Sequence, residues 1–113
     1  MKVISQKELN KHEITNFKSS NSFASSLLKG FSECQITFME LKSNGVIGLH
    51  QAVSDQIFIV LEGRGIISDK LNQQVEITNG DCIFWQKGEW HQTTSIQGLQ
   101  AIIIEGKDLF SKI

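Results

Sequence analysis

The sequence predicts an all-β chain folded as an antiparallel barrel or jelly roll, with one short helix near the N-terminus. Three observations carry that expectation. From Phe31 onward the chain breaks into short apolar or alternating runs, the period-two signature of half-buried strands. These runs are punctuated at Asn44-Gly45, Gly63, Gly65, Asn79-Gly80 and Gly88, with no helix-like segment between them. Proline is absent from all 113 residues, where average usage would supply about five or six. Turns therefore rest on Gly and Asn, which tolerate the positive φ values that tight connections need.

Taken in order, residues 1–30 form a polar, Ser-rich arm. Ser5 followed by Glu8 is a capping-box pattern, predicting a short helix over Gln6 to Lys11 that serves packing. Residues 19–26 are expected to be irregular or a weak edge strand, an arm able to add to a partner subunit's sheet. The barrel itself is expected over residues 31–113. Strands are predicted near 32–41, 47–53, 56–63, 65–70, 74–78, 82–86, 90–95 and 99–105. Short strands in that number, with no helix between them, suit a barrel or jelly roll.

At 12.7 kDa the chain has room for one core. Eleven basic and 12 acidic residues are spread along it, for a net charge of -1. No basic patch marks a nucleic-acid or membrane partner. The apolar runs Ile57–Leu61 and Ala101–Ile104 fall far short of a membrane span. The N-terminal residues lack the apolar stretch of a secretion signal, so a cytoplasmic location is expected. Cys34 and Cys82 form no CxxC pair and are expected to be buried, reduced thiols.

Strand parity then says which side chains meet. Residues two apart on a strand share a face, so His50 pairs with Ala52, Gln56 with Phe58 and Val60, and His91 with Thr93 and Ser95. A barrel closed by these strands would gather His50, Gln56 and His91 in its interior. Ala52, Phe58, Val60, Thr93 and one of Phe84 or Trp85 would surround them, with Trp90 at the pocket mouth. An apolar pocket with a few convergent polar groups is the usual make-up of a small-molecule site.

Two segments carry the histidines among glycines at defined distances. The first is Gly45, His50, Ala52, Gln56 and Gly63; the second is Gly80, Gly88, His91 and Ser95. Together they resemble the two motifs of the cupin superfamily, G-x5-H-x-H-x3-E-x6-G and G-x5-P-x-G-x2-H-x3-N. The second motif matches in every spacing. The first matches from His50 onward, with four residues instead of five between Gly45 and His50. Identities depart at Ala52 for histidine, Gln56 for glutamate, Gln86 for proline and Ser95 for asparagine. The resemblance covers residues 31–105 and implies a cupin-type antiparallel barrel, a double-stranded β-helix of the small single-domain kind.

In metal-binding cupins two histidines and a glutamate of the first motif join the histidine of the second. Carried over, the ligand set here is His50, Gln56 and His91, with Ala52 unable to contribute. That set implies one divalent transition metal (Zn, Ni, Cu, Fe or Mn) or none. Loss of the carboxylate disfavours Fe²⁺ and Mn²⁺ unless Glu89 or Glu105 reaches the site from the rim. Three functions remain open: a small-molecule-binding domain; a metal-dependent isomerase, lyase or dioxygenase acting on a small oxygenated substrate; and a non-catalytic scaffold. The resemblance also implies a homodimer.

Overall fold

A computed structural model of the chain describes residues 6–29 and 33–107. Eight strands run in chain order: β1 (His12–Glu13), β2 (Ser20–Lys29), β3 (Cys34–Gln51), β4 (Asp55–Ser68), β5 (Gln74–Thr78), β6 (Cys82–Trp85), β7 (Trp90–Ser95) and β8 (Leu99–Gly106). Every pairing is antiparallel. The all-β expectation holds, and the N-terminal helix does not. Gln6–Glu8 make a single 3-10 turn before β1, while Ser5 of the capping pattern lies outside the described residues. A segment this short does not offset the cost of helix nucleation, and His12–Glu13 just beyond it pair with β2.

Two pairs of predicted strands are each one long strand. β3 takes in the stretches expected at 32–41 and 47–53, and β4 those at 56–63 and 65–70. Asn44-Gly45 and Gly63 are bends within these strands, where each changes partner. Residues 34–41 of β3 pair with β8, and residues 45–51 pair with β7. β4 pairs with β8 and β6 before Gly63 and with β5 and β7 after it. A strand that turns a barrel corner needs a local kink. Asn44 supplies one at φ 62° and Gly63 at φ 100°. At Gly63 a Cβ would also lie 2.3 Å from the Gly98 carbonyl oxygen, so only glycine fits.

The segment read as irregular or as a weak edge strand, β2, is a ten-residue strand paired along β3. The interior is filled by alternate residues: Phe58 and Val60 of β4, Leu99, Ala101 and Ile103 of β8, with Leu41, Ile47, Ile67 and Ile77. Cys34 is half-buried and Cys82 is exposed. The expectation of two buried thiols fails at Cys82 because it pairs with Ile59, out of phase with inward-facing Phe58. No described helix is long and apolar enough to cross a membrane.

Candidate functional site

Register brings the motif histidines together. His50 of β3 and His91 of β7 are direct cross-strand partners, so their side chains leave the same face side by side. Their ring centroids lie 4.4 Å apart with planes tilted by 59°. Each ring is backed by an aromatic: Phe17 stacks on His50 at 4.3 Å and 10°, and Trp85 on His91 at 4.0 Å and 13°. His50 Nδ1 lies 2.7 Å from the Gly48 carbonyl oxygen, and His91 Nδ1 lies 3.4 Å from that of Glu89. A carbonyl only accepts, so each Nδ1 donates its N–H to it.

His91 is buried, and burial together with the neighbouring His50 pushes its pKa down to about 4, against a weak opposing pull from the Glu89 carbonyl. It is therefore a neutral imidazole at physiological pH.

A cavity of about 450 Å³ opens beside this pair. His50 and Gln56 line it, whereas His91 sits behind His50 against Trp85. Its apolar wall includes Ile14, Phe17, Met39, Ile47 and Ile103. Gln35, Gln51, Thr37 and Glu105 add further polar groups to it. Glu105 lies directly opposite both Gln35 on β3 and Gln56 on β4, so the three side chains form one row across three strands. Gln35 donates an amide N–H to Glu105 Oε1.

The pocket residues anticipated from parity divide into two groups. Ala52, Phe58, Val60 and Thr93 face inward and are buried in the core beneath the cavity, without lining it. Phe84 and Trp90 do not face the interior. Phe84 precedes inward-facing Trp85 and pairs with Ile57. Trp90 precedes inward-facing His91, and its ring lies 4.9 Å from Lys70 Nζ. One step along a strand reverses the face. Of the two rim carboxylates, Glu105 reaches the cavity, while Glu89 Oε2 accepts the Gln86 N–H at 2.8 Å within its own turn.

Sequence reasoning missed the N-terminal arm as a wall. His12, Ile14 and Phe17 all line the cavity. Phe17 and Lys18 both have positive φ, a left-handed bend that turns the arm across the barrel. The arm lies so close that a Cβ on Gly48 would sit 1.5 Å from the Phe17 carbonyl oxygen. The Gly48 N–H donates to Ser19 Oγ at 3.1 Å. No local pattern signals this, because Phe17 stands 33 residues from His50 in the sequence.

A family model for the cupin domain matches residues 37–105, the span holding both histidines and their bends. The chain belongs to the cupin family. Similar solved cupin folds include the polyketide cyclase RemF from Streptomyces resistomycificus, with TM-score 0.82 at 18% identity, covering 99% of this chain and 88% of that one. A predicted oxalate decarboxylase from Thermotoga maritima gives TM-score 0.80 at 22% identity, over 94% and 99% of the two chains. An RmlC-like cupin from Shewanella frigidimarina gives 0.76 at 14%, over 91% and 87%. At these identities the likeness is one of fold. Among curated protein sequences none matches this cupin.

The residues present do not fit a resident metal centre of the family kind. Among the described residues no three His, Cys, Asp or Glu side chains converge to hold an ion. Ala52 offers no donor, and Gln56 offers a neutral amide where a carboxylate would serve. What the cavity does offer is the His50 imidazole, the amides of Gln35, Gln51 and Gln56 and the Glu105 carboxylate beside an apolar wall.

Proposed function

We propose that this cupin binds a small molecule in the cavity beside His50, without a resident metal. The observation that carries the reading is the cavity itself: about 450 Å³, walled by the barrel and the N-terminal arm, with His50, Gln56, Gln35 and Glu105 on one side. Most of its surface is apolar, and polar side chains able to orient a ligand stand among the apolar ones, as in small-molecule sites generally. Screening by ligand-observed NMR, with His50→Ala and Gln56→Ala as controls, tests it. Binding weakened by both variants is expected; ligands that bind equally to both would sink the reading.

Acid–base catalysis is a second reading, favoured by one observation. The Gly48 carbonyl fixes the His50 proton on Nδ1, which leaves Nε2 as a base toward the cavity. His50→Gln would then abolish turnover of a bound molecule while binding survives.

A cytoplasmic location is part of the proposal, since the free Cys34 and Cys82 suit a reducing compartment. On the outside of the barrel Ile36, Ile57, Ile102 and Ile104 form a half-buried apolar row over β3, β8 and β4. A second copy related by a two-fold axis would cover it, giving a homodimer.

A further inference from the structure

The cavity carries a charge asymmetry that no motif residue explains. Among the described residues lining it, Glu105 is the one Asp, Glu, Lys or Arg. The alternation of β8 places it there: Leu99, Ala101 and Ile103 face the core, and Glu105 is next on the same face, half-buried. Its hydrogen-bond partner among the described residues is the Gln35 amide. An ionised carboxylate has about four acceptor positions, so most of its capacity is left to whatever enters the cavity. A half-buried carboxylate is costly unless it is paired.

We propose that the cavity selects a primary amine with an apolar body, whose ammonium group docks on the Glu105 carboxylate. The inference rests on the small-molecule reading above and adds the ligand class. An ammonium brings three N–H donors and no acceptor. The row facing it supplies Glu105 flanked on either side by Gln35 and Gln56. Gln35 gives one of its two N–H groups to Glu105 and keeps its amide oxygen to accept. Ile14, Phe17, Met39, Val53 and Ile103 provide contact for a hydrocarbon or aromatic body. A carboxylate ligand would meet Glu105 with no described lysine or arginine in the wall to offset it. The other titratable groups lining the cavity are His12 and His50.

Three probes of one shape separate charge from bulk: benzylamine, benzyl alcohol and benzoate, titrated by NMR at pH 7.5 and low salt. Benzylamine is expected to bind about tenfold or more tightly than benzyl alcohol, as a charge-assisted hydrogen bond implies, and benzoate most weakly. In Glu105→Gln the amine's advantage should shrink to within about twofold, with benzyl alcohol unchanged. Benzoate equal to or tighter than benzylamine, or an amine preference that survives Glu105→Gln, would overturn the proposal. The native comparison stands even if the variant fails to fold. Equal binding of all three probes removes the amine inference and leaves the small-molecule reading intact; binding of none removes both.

Discussion

His50 and His91 face each other across the β3–β7 ladder with ring centroids 4.4 Å apart, so a proton on one is opposed by the other. His91 also lies buried, and its pKa falls from 6.5 to about 4. The sign of the stability effect follows. Between those two values the unfolded chain holds a proton at this residue that the folded chain does not. Stability should therefore fall as the pH drops from about 6.5 to 4, by about 3 kcal/mol from this group. Urea unfolding across that range measures it. His91→Gln is expected to flatten that part of the profile, and an unchanged slope would assign the effect elsewhere.

The arm depends on Gly48. A methyl at that position collides with the Phe17 carbonyl oxygen, so Gly48→Ala should push the arm off the barrel and strip Phe17 from His50. Loss of the stack and of the Gly48 N–H to Ser19 bond is expected to cost about 1–3 kcal/mol. Hydrogen exchange should then speed up over residues 12–19 while the amides of β4 and β8 stay protected. Uniform loss of protection would mean the residue serves the whole fold.

Restoring the ligands should restore the metal. Ala52 is buried two residues beyond His50, and Gln56 lines the cavity with His50. The double variant Ala52→His, Gln56→Glu is expected to bind Zn²⁺ or Ni²⁺ at least about 100-fold more tightly than the parent chain by calorimetry. The added bulk at buried Ala52 should cost about 1–3 kcal/mol in the metal-free form. An affinity equal to the parent's would show that the cavity geometry, and not the ligand identities alone, has moved away from metal binding.

The outer apolar row gives a prediction for assembly. Ile102→Lys places a charge between Phe38 and Ile59, its partners on the flanking strands. Light scattering should give twice the chain mass for the parent and the single-chain mass for the variant. A monomeric parent would remove the dimer.

The motif histidines were legible from their spacing, and the inward positions Phe58, Val60 and Thr93 and the all-β class from period-two alternation, which holds over the regular stretches of β4 and β7. Element boundaries were not. Asn44-Gly45 and Gly63 look like turns in sequence, yet each bends a continuous strand where its partner changes. A local signal for positive φ cannot tell a hairpin from a barrel corner, since both need the same dihedral angles. Phe84 against Trp85 was likewise undecided, because an isolated short run does not fix its phase relative to the core.

By itself the sequence determined that this is a cupin barrel with His50 and His91 at motif positions, and with alanine at 52 and glutamine at 56 where the family motif has histidine and glutamate. Only the tertiary structure decided that His91 is buried behind His50, that the N-terminal arm walls the cavity through Phe17, and that Glu105 is the carboxylate facing it. The reason is separation along the chain. Glu105 stands 49 residues from Gln56 and 70 from Gln35, and only the registers of β3 and β4 with β8 set the three in a row.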